Sequence, residues 1–154
     1  MKILIVYHTA STQRNTEKVA QVISEVLKTK GFEVDCLYVD DVDTANVKNY
    51  DSLIAGSPTH AFRATPAITQ FLDKLGKDEF AGKPAATFDT QLQSRFSGSA
   101  AKGIEKILEN LGFKIIMPPL VTYVEGKTEE VHLKDGEIEK TKKYAEDLAN
   151  KLSQ

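Results

Sequence analysis

Eight consecutive residues near the start, Thr9, Ala10, Ser11, Thr12, Gln13, Arg14, Asn15 and Thr16, gather hydroxyls, side-chain amides and one guanidinium into a single segment. The segment lies between an apolar run and the start of a helical pattern, where backbone N–H groups lack intrahelical partners and the helix dipole is positive. Donors converging at such a point suit a phosphate monoester dianion. Helix N-termini favour the same residue types as caps, so the segment alone supports both readings. It contains no glycine, and the chain has neither G-x-G-x-x-G nor G-x-x-x-x-G-K-[ST], so a pyrophosphate pressed against backbone is disfavoured.

Two further segments carry groups of this kind. Gly56, Ser57, Pro58, Thr59, His60, Ala61, Phe62, Arg63, Ala64, Thr65 and Pro66 mix turn formers, aromatic rings and hydrogen-bonding groups. A planar ring could lie against Phe62 or His60 while backbone groups meet its polar edge; the plain alternative for Phe62 is a loop anchor packed on the core. No glycine lies between 57 and 65, so left-handed backbone there would cost about 1–2 kcal/mol. The third segment, from Asp89, Thr90 and Gln91 through Arg95 and Phe96 to Gly98 and Ser99, reads as a long polar loop, which is uncommon in a compact domain and often functional. The charged residues of the three segments, Arg14, Arg63, Asp89 and Arg95, sum to +2.

The elements that must position these segments alternate along the chain. Residues 3–7 form a continuous apolar run, the pattern of a strand buried on both faces. Val19, Ala20, Val22, Ile23, Val26 and Leu27 recur at helical spacing within 16–30, with Gly31 as the stop. Residues 32–39 alternate as a strand, 40–50 make a weaker, helical connection, and 52–56 are another buried strand. Pro66 opens a helix carrying Ile68, Phe71, Leu72 and Leu75; residues 84–88 are a strand; Ile104, Ile107, Leu108 and Leu111 give a helix closed by Gly112. Residues 113–117 resume a strand that Pro118 and Pro119 bulge before 120–124 continue it, and a last helix covers about 137–152. Five strands alternating with helices predict one α/β domain over 1–154, a doubly wound parallel sheet with helices on both faces. Ligands of such sheets bind outside the carboxyl ends of the strands, where all three polar segments fall.

Composition narrows the classes. The 154 residues carry a net charge of −2 with 41% hydrophobic and 27% charged residues, an ordinary globular balance with no basic nucleic-acid surface. The apolar start is too short for a signal or membrane segment, and the single Cys36 allows no internal disulfide, so a cytoplasmic location is expected. Cys36 alternates with Val34 and Tyr38 and is read as a buried structural thiol; His8 and His132 have no partner at metal-ligand spacing. A phosphoacceptor receiver of the same architecture needs an acidic pair after the first strand and an aspartate after the third, where this chain has His8, Thr9, Gly56 and Ser57.

The run Leu4-Ile5-Val6-Tyr7, the hydroxyl-rich segment ending Asn15-Thr16-Glu17, the stretch Gly56-Ser57-Pro58-Thr59-His60 and the stretch Ser97-Gly98-Ser99-Ala100 leading to Ile104-Glu105 and Leu111-Gly112-Phe113 resemble the flavodoxin family over essentially the whole chain. The resemblance implies a sheet of order 2-1-3-4-5, non-covalent FMN, and electron transfer at the flavin's exposed edge. It places Thr9, Asn15 and Thr16 on the phosphate, Pro58, Thr59 and His60 in the second loop, and Phe96, Ser97 and Gly98 in the third. Ser11, Thr12, Gln13, Arg14, Ser57, Phe62, Asp89, Thr90, Gln91 and Arg95 complete the expected cofactor contacts. The chain departs from the family in a longer phosphate loop without the S-x-T-G-N-T glycine, a longer third loop, no tryptophan, and near-neutral charge. The function expected is electron carriage between redox partner proteins by a monomer or weak dimer, with no nucleic acid or membrane involved; the alternative is an FMN-dependent NAD(P)H:quinone or small-acceptor reductase of the same build.

Overall fold

The computed structural model describes residues 1–94, 98–127 and 130–154. Its elements are β1 (Lys2–Tyr7), α1 (Asn15–Thr29), β2 (Glu33–Tyr38), β3 (Ser52–His60), β4 (Arg63–Ala64), α2 (Pro66–Asp73), β5 (Pro84–Leu92), α3 (Ala100–Asn110), β6 (Lys114–Ile115), β7 (Leu120–Glu125), β8 (His132–Leu133) and α4 (Glu137–Leu152). The strands lie in the order β2-β1-β3-β5-β7-β8, with β4 on β3 and β6 on β5. The five long strands pair in parallel, so the expected 2-1-3-4-5 order holds.

Alternation along β1 explains why the sheet is covered twice. Leu4 and Val6 face one way, into a core shared with Ile68 and Leu72 of α2 and Ile104 and Leu108 of α3. Ile3, Ile5 and Tyr7 face the other, against Val19, Ile23 and Leu27 of α1 and Leu148 and Leu152 of α4. Both faces are apolar because side chains of one strand point alternately to opposite sides. Gly31, at φ 95°, ends α1 as expected, its N–H bonding the Lys28 carbonyl while Phe32 N–H reaches back to Leu27.

Several expectations need correction. Residues 57–60 and 89–92 are not loop but the ends of β3 and β5, whose pairing continues through Ser57↔Asp89 and Pro58↔Thr90. Polar residue types disguised these strand ends, which run past the apolar core: Pro58, Thr59, His60, Thr90, Gln91 and Leu92 meet a cavity, and Ser57 and Asp89 are buried behind it. The connection after β2 is helical as expected, in the form of two 3₁₀ turns, Val39–Asp41 and Thr44–Asn49. The all-parallel sheet gains two short antiparallel pieces, β4 on β3 and β8 on β7. The interrupted last strand is as expected: β6 and β7 both pair with β5, on either side of the prolines.

Candidate functional site

At the carboxyl ends of β1, β3, β5 and β7 a cavity of about 300 Å³ opens. The segment after β1 contributes Ala10, Ser11, Asn15 and Thr16; β3 contributes Pro58, Thr59 and His60; β5 contributes Thr90, Gln91 and Leu92; Val124 and Val131 close the far side. Thr9, Ser11, Thr12 and Arg14 line an adjoining recess with Tyr38. Phe62 borders a smaller recess with Thr59, Ala61, Gln91 and Leu92. Ser57 and Asp89 lie behind the wall, fully buried, and Gln13 is exposed and lines none of these spaces. Arg95 and Phe96 lie outside the described residues. Ala10, Leu92, Val124 and Val131 were not singled out in the sequence. Leu92 follows from the true length of β5, whereas Val131 comes from the β7–β8 hairpin and left no signal.

The first segment keeps the backbone donors of the first α1 turn available, while its side-chain donors are largely engaged. Arg14 takes the left-handed conformation at the α1 N-cap, φ 54°, and no side chain caps the helix, so the first-turn N–H groups have no intrahelical acceptor. The guanidinium of Arg14 turns to Glu17, with bonds of 2.5 and 2.9 Å, and Glu17 also accepts from the Tyr7 hydroxyl at 2.6 Å. These bonds, from Arg14 first and Tyr7 second, hold the Glu17 carboxyl below the usual range. Asn15 donates its Nδ2 to the Val131 carbonyl at 2.8 Å. Its Oδ1 and the Thr9 hydroxyl are buried without a partner among the described residues. Thr16 and Thr90 share a buried hydroxyl–hydroxyl bond of 2.8 Å.

The second segment is a hairpin, not an open loop. Thr59 pairs with Ala64 and His60 with Arg63, leaving Ala61 and Phe62 as a two-residue turn at φ 48° and 71°. One of the two turn types that match strand twist in tight hairpins takes left-handed backbone at both turn residues. Here it is adopted without glycine, at a cost of about 1–2 kcal/mol per residue. Phe62 is 61% exposed and Leu92 58%, on either side of the same recess. Gly98, at φ 68°, bridges Phe62 so closely that a Cβ would lie 2.9 Å from the Phe62 carbonyl oxygen.

Asp89 ties the third segment down. Its Oδ2 accepts from Ser99 Oγ at 2.7 Å and from the Ala101 N–H at 3.2 Å, and the Gln91 amide donates to both of its oxygens at 3.2 and 3.3 Å. Burial nonetheless pushes its carboxyl above the ordinary range. Asp89 therefore braces the α3 N-terminus and sets the Gln91 amide from behind the wall. Thr59 Oγ1 accepts from Ala100 N–H at 3.0 Å, joining the second and third segments.

Other chemistries find little support. Burial pushes the Cys36 thiol up to about 11, the wrong direction for a nucleophile. Among the described residues no group of three or more His, Cys, Asp or Glu could hold a metal, and no helix is long and apolar enough to cross a membrane.

The family profile described as NADPH-dependent FMN reductase matches residues 1–129. A flavodoxin of Clostridium saccharobutylicum is 28% identical over 162 aligned residues, covering 100% of this chain and 99% of its own. Oxidised flavodoxin 2 of Bacillus cereus superposes with a TM-score of 0.81 at 27% identity, over 98% of this chain and 99% of that one. A flavodoxin from the domain Archaea gives 0.79 at 23% identity, with both chains covered fully. This chain accordingly belongs to the flavodoxin-like flavoprotein family that the NADPH-dependent FMN reductase profile describes.

Proposed function

We propose that the chain, as a single unit over residues 1–154, binds one FMN in the cavity at the strand ends and carries electrons between redox partner proteins. One observation supports this most: the site is divided by polarity in the way FMN is. At one end lie uncapped helix N–H groups and the Thr9 hydroxyl, buried without a partner among the described residues; at the other, Phe62 and Leu92 expose apolar side chains beside one recess. The Asn15 Oδ1 is an acceptor and cannot face a phosphate oxygen, so it suits a hydroxyl of the linking sugar chain.

On this reading Thr9, Thr16 and the first turn of α1 hold the phosphate, while Pro58, Thr59, His60 and Gln91 meet the ring and Phe62 and Leu92 shield it. Bound flavin supplies the group that accepts and returns electrons. The residues of the chain anchor it, orient its ring and exclude water from its inner face. Partner proteins, monomeric or weakly dimeric behaviour and a cytoplasmic location belong to the same proposal.

A second reading, an NAD(P)H-dependent reductase acting on a quinone or other small acceptor, is favoured by the matching family profile. Anaerobic mixing of the FMN-loaded protein with NADPH and a quinone separates the two. A carrier shows at most slow, stoichiometric bleaching of the flavin, whereas sustained NADPH oxidation would replace the carrier assignment with the reductase.

A further inference from the structure

Behind the cavity a line of polar groups runs from the end of β1 to the backbone of β3. His8 Nδ1 lies 2.8 Å from Thr65 Oγ1, which lies 3.2 Å from Ser57 Oγ. Ser57 Oγ donates to the Pro58 carbonyl at 2.8 Å and accepts from the Thr65 N–H at 3.0 Å. Both hydroxyl residues are buried. Thr65 precedes α2 at the position whose hydroxyl commonly caps a helix, yet it makes no capping bond; the hydroxyl is turned into this line instead.

Each link requires one proton, and the count fixes the histidine. Ser57 has given its only hydroxyl proton to Pro58, so the Ser57–Thr65 link must use the proton of Thr65. The Thr65–His8 link then needs a proton on Nδ1. Were Nδ1 bare, it would draw the Thr65 proton and leave two hydroxyl oxygens facing each other with none between. The line closes with the Nδ1–H tautomer, which leaves Nε2 as the atom that titrates.

We infer that His8 is a positioning residue of the flavin site: it fixes the carbonyl of Pro58, a residue of the cavity wall, through Thr65 and Ser57, and takes up a proton at Nε2 when an anion occupies the adjoining segment. The inference rests on the flavin reading above, because that segment begins at Thr9, the next residue. The groups facing His8 are the Tyr38 ring at the end of β2, 5.8 Å between centroids, Asp40 after β2, which favours the charged imidazole, and His60 at the end of β3, which opposes it. Burial, the largest of these effects, outweighs Asp40 and, with His60, holds His8 below the usual histidine range. A phosphate beside Thr9 adds an opposite charge and raises it again, so binding takes up a proton and affinity strengthens as pH falls through the histidine range.

Imidazole ¹⁵N NMR of the ligand-free protein reads the tautomer, and fluorescence titrations with FMN and riboflavin at about pH 6 and about pH 8 read the linkage. His8→Asn places an amide N–H near Nδ1 and does not titrate; His8→Leu removes the donor, with circular dichroism to confirm folding. The expected result is Nδ1–H, equal FMN affinity of wild type and His8→Asn at the higher pH, and roughly threefold or greater advantage of wild type at the lower. That comparison cancels the phosphate's own titration, riboflavin shows no such divergence, and His8→Leu weakens both flavins at both pH values. An Nε2–H tautomer, or a wild-type to His8→Asn ratio that is flat with pH, overturns the inference. Failure of wild type to bind FMN would defeat the flavin reading and the proton uptake with it, while the tautomer still decides the hydrogen-bonded line.

Discussion

The Arg14 guanidinium is bound by the Glu17 carboxylate one turn into the same helix, and the Tyr7 hydroxyl holds that carboxylate from the sheet. The cation of the hydroxyl-rich segment is therefore answered within its own helix before any ligand arrives. Glu17→Gln should free it: FMN affinity is expected to rise roughly threefold at low salt, with the gain shrinking at high salt and riboflavin unaffected. Fluorescence titration at two ionic strengths checks this, and weaker FMN binding would show that the ion pair shapes the segment.

Removing the Thr16 hydroxyl touches both fold and ligand. Its partner is the buried Thr90 hydroxyl, so Thr16→Ala should cost about 1 kcal/mol of stability in denaturant unfolding. A lost donor to a charged phosphate adds about 1.5–3 kcal/mol, tenfold or more in FMN affinity, with little change for riboflavin. Equal losses for the two flavins would place the phosphate elsewhere.

Phe62 sets stability against binding. It is exposed and left-handed, so Phe62→Gly should relieve strain and stabilise the apoprotein by about 1 kcal/mol. The same change should weaken FMN and riboflavin alike, because the side chain meets the ring. A variant less stable than wild type would show that Phe62 packs usefully in the ligand-free hairpin.

Asp89 gives a pH signature. Its folded carboxyl is raised by burial above the unfolded value, so the folded state holds the proton more tightly and stability falls as pH rises between those two values. Asp89→Asn should abolish that slope. The asparagine oxygen can still accept from Ser99 and Ala101, but its amide faces the Gln91 amide, donor against donor. Gln91 must then turn over in the cavity wall, and riboflavin affinity is expected to fall. Urea unfolding across the acid range, with riboflavin titration, tests both parts; an unchanged slope would remove Asp89 as its source.

The core was legible because its code is simple: Leu4 and Val6 against Ile3 and Ile5 show a strand covered on both sides, and Val19, Ile23 and Leu27 show a helix face. The rim was harder. Asp89 and Gln91 look like loop residues because they are polar, yet each is in a strand and buried. The left-handed Ala61 and Phe62 were hidden because no glycine marks the turn, and hairpin pairing of Thr59 with Ala64 overrides local preference. The charge count of the three segments leaves out Glu17, a residue outside them that pairs with Arg14.

The most direct measurement is the flavin content of the purified chain, from its visible spectrum and the phosphate content of the released flavin. The purified chain is expected to be yellow, carrying or rebinding one FMN per chain, with riboflavin held more weakly. A colourless protein that takes up no FMN, or one that binds riboflavin as tightly as FMN, would contradict the FMN reading.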